Sequence, residues 1–99
     1  MNLFGLKPEH IGFLNNTLRN YIKDENAKIY IFGSRAKGNF REYSDVDIAV
    51  DSTDFTPEIK SKLEIEFENS LFPYEVDIVD LNNIKENFKA VIQDSMVLL

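Results

Sequence analysis

Ile29-Tyr30-Ile31-Phe32-Gly33-Ser34-Arg35-Ala36-Lys37-Gly38 is the stretch on which the reading of this chain turns. Four β-favouring apolar residues run into a Gly-Ser pair, so a strand hands over to a turn whose backbone N–H groups are free. Free N–H groups beside a hydroxyl suit an anion. Moving outward, Ser44-Asp45-Val46-Asp47-Ile48-Ala49-Val50 alternates polar and apolar residues as a second strand. Residues i and i+2 of a strand share a face, so Asp45 and Asp47 lie side by side while Val46, Ile48 and Val50 point into a core.

Val76-Asp77-Ile78-Val79-Asp80 adds a third strand and a further carboxylate. An isolated Asp-x-Asp is usually the wet face of a half-buried strand, and Gly-Ser alone is a common turn. The conjunction carries the chemistry: an apolar strand into Gly-Ser-Arg, a short gap to Asp-x-Asp, then a later strand bearing Asp. Three carboxylates of this kind supply the hard oxygen ligands that Mg²⁺ prefers when phosphates and water complete its octahedron. Two such ions about 3.5–4 Å apart would clamp the attacking and leaving oxygens of an in-line phosphoryl displacement. Glu75 and Asp80 compete with Asp77 for the third place. Glu75 shares its strand parity, whereas Asp80 has the opposite parity and points away, so Asp77 is preferred.

These motifs resemble the minimal nucleotidyltransferase (MNT) family of the DNA polymerase beta superfamily, from about Lys28 to Leu81. The resemblance implies a polymerase beta-type nucleotidyltransferase fold. It implies that Gly33 and Ser34 hold the β- and γ-phosphates of ATP, that Arg35 and Lys37 neutralise triphosphate charge, and that Asp45, Asp47 and Asp77 bind two Mg²⁺ ions. Asp77 would also help the acceptor hydroxyl lose its proton. It further implies a partner: many members are antitoxins of HEPN-domain ribonuclease toxins and transfer AMP from ATP to a toxin tyrosine, working as hetero-oligomers. Transfer to a small molecule, as in aminoglycoside nucleotidyltransferases, and neutralisation by binding alone are the alternatives.

Composition bounds the rest. Ninety-nine residues of ordinary composition make a single domain, 1–99, that buries roughly 60–70% of its unfolded surface. With no cysteine, disulfides and thiolate metal sites are excluded, which fits a reducing cytoplasmic setting. No apolar run approaches the roughly 20 residues of a membrane span, and the first residues lack the pattern of a secretion signal. Eleven Lys and Arg against seventeen Asp and Glu give a net charge of −6, which weighs against direct nucleic-acid binding. Arg35, Lys37 and Arg41 nevertheless put three cations near the phosphate turn. At this size there is little room for a dedicated acceptor pocket, so an acceptor that brings its own surface, a protein, is favoured.

The element order reads as an α+β layered fold, one mixed sheet covered by helices. Pro8 opens a helix to about Lys23 with Ile11, Leu14, Leu18, Tyr21 and Ile22 on one face. Strands are expected over Ala27–Phe32, Asp45–Asp51 and Tyr74–Leu81, with a short helix beginning at Ser34. Thr56-Pro57 caps a helix whose stripe is Ile59, Leu63, Phe67 and Leu71 and which Pro73 stops. Asn82 or Asn83 caps a last helix with Ile84, Phe88, Val91 and Ile92 inward. Met96–Leu99 forms a short edge strand or docks on a partner. His10 is assigned a surface or helix-start role, and Phe13, Tyr21, Phe67, Phe72, Tyr74 and Phe88 are assigned mainly to the core.

Overall fold

The computed structural model describes residues 3–99. Its elements are α1 (Pro8–Tyr21), β1 (Lys28–Phe32), α2 (Ser34–Lys37), β2 (Val46–Asp51), α3 (Pro57–Glu68), β3 (Val76–Asp80), a 3₁₀ turn (Leu81–Asn83), α4 (Glu86–Gln93) and β4 (Val97–Leu98). The strands form one mixed sheet in the order β3-β2-β1-β4, with β2 and β3 parallel and the other pairs antiparallel. The expected α+β layered arrangement is therefore present, and Val97–Leu98 takes the edge-strand alternative for the last residues.

Strand alternation sends Ile29, Ile31, Val46, Ile48, Val50 and Ile78 to one face. There they meet Leu14 and Leu18 of α1 and Leu63 and Phe67 of α3 in a continuous buried cluster. The opposite face carries a smaller cluster in which Ile92 of α4 packs with Ala49 and Leu81, flanked by Tyr30, Phe32 and Val79. Burial of a full aliphatic side chain is worth about 1.5–3 kcal/mol, so the first, larger layer supplies most of the cohesion. The second layer covers only part of its face and leaves Asp47 at its margin.

Helix ends differ from the sequence expectation for identifiable reasons. α1 stops at Tyr21 rather than Lys23 because the Lys23 and Asp24 amides donate to the Asp54 carboxylate (3.1 and 3.0 Å) instead of to the preceding turn. α3 begins as expected, with the Thr56 hydroxyl accepting the Ile59 N–H at 3.1 Å. It ends at Glu68, before Leu71, because the Ser70 hydroxyl donates to the Phe67 carbonyl (2.7 Å) and accepts the Phe72 N–H (3.1 Å). Leu71 is consequently fully exposed, and Phe72 fills the place beside Phe67.

The last helix is also corrected. Asn82 and Asn83 do not cap it: Asp80 caps a 3₁₀ turn through the Asn82 N–H (3.0 Å), and Asn82 donates from its amide to Asp51 and to the Ser52 carbonyl. α4 starts only after Lys85, and with eight residues it buries Ile92 while Phe88 and Val91 stay exposed. No helix of the described residues is long and apolar enough to cross a membrane.

Candidate active site

The site forms where β1 ends. Phe32 pairs with Asp47 across the antiparallel ladder, and Asp47 pairs with Asp77 across the parallel one. In-register parallel neighbours present their side chains on the same face, so Asp47 and Asp77 lie side by side, with Asp45 two residues before Asp47 at the entry to β2. The next residue after Phe32 is Gly33, whose backbone at φ +76° and ψ −150° is a conformation essentially reserved for glycine. A Cβ on Gly33 would stand 2.5 Å from Asp47 Oδ2. Glycine is required here twice, for the backbone angle and to make room for the carboxylate.

α2 starts at Ser34, and its first closing bond runs from the Lys37 N–H to the Gly33 carbonyl at 3.0 Å. The Ser34, Arg35 and Ala36 amides precede that bond, as the opening N–H groups of any helix do. They are the donors the sequence led us to expect. Gly33 itself departs from that expectation: its N–H donates to the Ser95 hydroxyl at 3.1 Å. Ser95 follows α4 and lies sixty-two positions away in sequence. No local pattern marked it, and only the return of the chain along β4 brings it to the turn.

Arg35 is corrected more fully. Instead of facing phosphate, its side chain is almost wholly buried, at 2% exposure. The guanidinium donates to the carbonyls of Ser44 (Nε 3.0 Å, Nη2 2.8 Å), Phe4 (2.9 Å) and Glu42 (3.3 Å). It also stacks on Tyr74 and Phe40, 4.5 and 5.1 Å from the ring centroids. Planar guanidinium suits such a multi-carbonyl socket. Because Ser44 immediately precedes Asp45, Arg35 is a positioning residue that anchors the loop delivering Asp45. Lys37, by contrast, is exposed at the end of α2 and free to reach solvent-borne charge.

Electrostatics single out Asp47. Partial burial, then the Asp77 carboxylate, then the Asp45 carboxylate push its carboxyl up to about 6. Asp45, Asp47 and Asp77 have no side-chain hydrogen-bond donor or cationic partner among the described residues. Nor do any three acidic or imidazole groups there converge as a ready-made metal cluster. The donor set nonetheless fits a hard divalent cation: it is all oxygen, it is negative, and its central member is held at a cost that a cation would relieve.

Asp80 pairs with Val50 in register and is spent on capping, and Glu75 is exposed ahead of β3. His10 sits at the start of α1, edge-on to Phe72 and Tyr74 at 5.7 and 5.6 Å.

Comparison with known proteins gives concordant results. The family of the nucleotidyltransferase domain matches residues 15–99. A probable protein adenylyltransferase MntA of Haemophilus influenzae is 30% identical over 97 residues, covering 95% of this chain and 82% of that protein. A crystal structure of a toxin–antitoxin with AMP-PNP superposes with a TM-score of 0.72 at 26% identity, covering 88% of this chain and 69% of that one. A tri-AMPylated Shewanella oneidensis HEPN toxin in complex with MNT antitoxin gives a TM-score of 0.68 over 91% of this chain and 68% of that one. At 23% identity, that last likeness concerns the fold alone.

Proposed function

This chain belongs to the minimal nucleotidyltransferase family, and from that premise we propose that it moves AMP from ATP to a hydroxyl of a protein acceptor, a tyrosine of a cognate HEPN-domain toxin, as the antitoxin of the pair. The acceptor oxygen attacks the α-phosphorus, the bond to the β-phosphate bridging oxygen breaks, and pyrophosphate leaves. The observation that carries the reading is the in-register pair Asp47 and Asp77 against Gly33, with Asp47 displaced to about 6.

Asp45, Asp47 and Asp77 would hold Mg²⁺, two ions in the full reading, which supply Lewis-acid withdrawal of charge from the phosphates. Asp77, exposed at the edge of the group, takes the proton of the acceptor hydroxyl. The Ser34 hydroxyl and the first-turn amides of α2 receive the β- and γ-phosphates, and Lys37 neutralises pyrophosphate as it forms. Arg35 contributes by fixing Ser44 and hence Asp45. Gly33 contributes by admitting the Asp47 carboxylate. Residues 1–99 act as one domain in the cytoplasm, in complex with the toxin, without touching nucleic acid directly.

Intact-mass spectrometry of the HEPN-domain partner after incubation with this chain, ATP and Mg²⁺ tests the reading. AMP-sized additions that require Mg²⁺ and disappear with Asp45→Asn/Asp47→Asn are expected. A tight complex with no added mass would instead favour neutralisation by binding.

A further inference from the structure

Arg35 must itself be held if it is to hold Ser44, and the backbone that holds it from outside its own loop is the turn Leu3–Leu6. Two bonds close that turn, from the Leu3 N–H to the Leu6 carbonyl at 3.1 Å and from the Leu6 N–H to the Leu3 carbonyl at 2.8 Å. Between them Phe4 and Gly5 both take positive φ, +59° and +71°. Two such residues in succession make the tight turn of a hairpin, and a bulky side chain at the first of them is strained. Strain of this kind persists only where the surroundings over-determine it. They do so here: Leu6 is fully buried in the main core, and the Phe4 carbonyl accepts from Arg35 Nη1 at 2.9 Å. A Cβ on Gly5 would run into the Phe40 ring and stand 3.0 Å from the same Nη1.

Resting on the transfer reading above for what Asp45 does, we infer that the Leu3–Leu6 turn is a positioning element for Asp45, acting through Arg35 by the Phe4 carbonyl and the space that Gly5 leaves. Arg35 is a buried cation, and the one ion pair among the described residues is Lys62 with Glu58, so carbonyls and rings alone meet its charge. A rigid guanidinium fixed on one edge by Phe4 presents its other edge, Nε and Nη2, to the Ser44 carbonyl without freedom to swivel. The next residue is Asp45. Tyr74, against the same guanidinium, precedes Glu75, whose carbonyl accepts the Val46 N–H at 2.8 Å. Arg35 thus braces both segments that this bond joins, at the point where Asp45 enters β2. Outer partners that never touch a metal ion typically change its affinity by about 10–100-fold.

The wild type, Gly5→Ala and Asp54→Ala are compared at a temperature where circular dichroism shows each to be folded. Asp54→Ala serves as a variant weakened only at the far end of the sheet. The readouts are amide chemical shifts of the unliganded chain, Mn²⁺ affinity with AMP-PNP by calorimetry, and AMP transfer. Gly5→Ala is expected to shift the Ser44, Asp45 and Val46 amides, to weaken Mn²⁺ binding by about 10–100-fold, and to lower kcat with the KM for the HEPN-domain partner unchanged. Asp54→Ala is expected to do none of these. A synthetic chain with an ester in place of the Phe4–Gly5 amide weakens the carbonyl as an acceptor without adding volume. The N–H it removes donates to no backbone carbonyl among the described residues. The ester is expected to act in the same direction more mildly, and it decides alone if Gly5→Ala does not fold. Unmoved Ser44–Val46 amides, or Mn²⁺ affinity equal to that of Asp54→Ala, overturns the inference. Shifted amides in a chain whose wild type neither binds Mn²⁺ with AMP-PNP nor transfers AMP would uphold the positioning of Asp45 and count against the transfer reading, so the two fail separately.

Discussion

Two groups of carboxylates occupy opposite ends of the same sheet, and they are treated in opposite ways. At the far end, Asp24 accepts the Asn26 N–H (2.9 Å), and Asp54 accepts the amides of Lys23 and Asp24. The buried Ser52 hydroxyl lies between the two carboxylates and donates to Asp54. The backbone N–H of Asn26, followed by further bonds from Thr53 and Ser52, holds the Asp24 carboxyl below its usual range. At the near end, Asp45, Asp47 and Asp77 receive no such donors among the described residues, and Asp47 is pushed up to about 6. Satisfied carboxylates close the α1–β1 turn and hold the fold. Unsatisfied ones repel one another, and a bound divalent cation would relieve that repulsion.

The contrast is broken most strongly by Asp47→Asn. Transfer activity is expected to fall by about 10²–10³-fold, the scale of losing one preorganised electrostatic group. The apo-protein is expected to melt higher at neutral pH, since the like-charge repulsion from Asp77 and Asp45 is gone. Incorporation of labelled AMP and a melting curve read the two effects. Gly33→Ala comes next. Its φ of +76° would cost about 1–3 kcal/mol in a residue with a side chain. The new Cβ would also displace the Asp47 carboxylate, so stability and activity are expected to fall together, as seen by melting and by transfer rate.

Asp54→Ala tests the other end. Removing the acceptor of the Lys23 and Asp24 amides, with the Ser52 hydroxyl left to Asp24 alone, costs about 1–3 kcal/mol of stability by chemical denaturation. Transfer per folded molecule is expected to stay at the wild-type level. The smallest effect belongs to Ser95→Ala, which removes the acceptor of the Gly33 N–H and costs about 0.5–1.5 kcal/mol. Kinetics with varied ATP are expected to show a raised KM with kcat little changed, and Ser95→Thr is expected to restore it.

Legibility in the sequence follows the same division. The near-end carboxylates announce themselves because strand parity is local: Asp45-Val46-Asp47 and Val76-Asp77-Ile78 place their side chains by period two alone. The strands and the starts of α1 and α3 were legible for the same reason, through alternation, Pro8 and Thr56-Pro57. What could not be read depends on distant partners. Arg35 looks like a phosphate ligand by its place beside Gly33-Ser34, yet carbonyls from Phe4, Glu42 and Ser44 and the ring of Tyr74 claim it. Asp54 ends α1 from thirty residues away, and Ser95 reaches Gly33 only once β4 has folded back. Phe88 and Val91 have helical spacing, but a helix that starts late covers too little of the sheet to bury them.

The most direct test of the distinction is thermal melting of the wild type and Asp47→Asn from about pH 4 to about pH 7, with and without Mg²⁺ and AMP-PNP. A carboxyl whose folded-state value is raised binds its proton more tightly when folded. Its stabilising contribution is therefore complete below the ordinary carboxylate range and is lost as pH climbs through about 6. The unliganded wild type is expected to lose stability across that window while Asp47→Asn does not. Mg²⁺ with AMP-PNP is expected to restore stability at neutral pH only to the wild type. A variant that melts below the wild type at neutral pH, or that gains as much from Mg²⁺ and AMP-PNP, would contradict it.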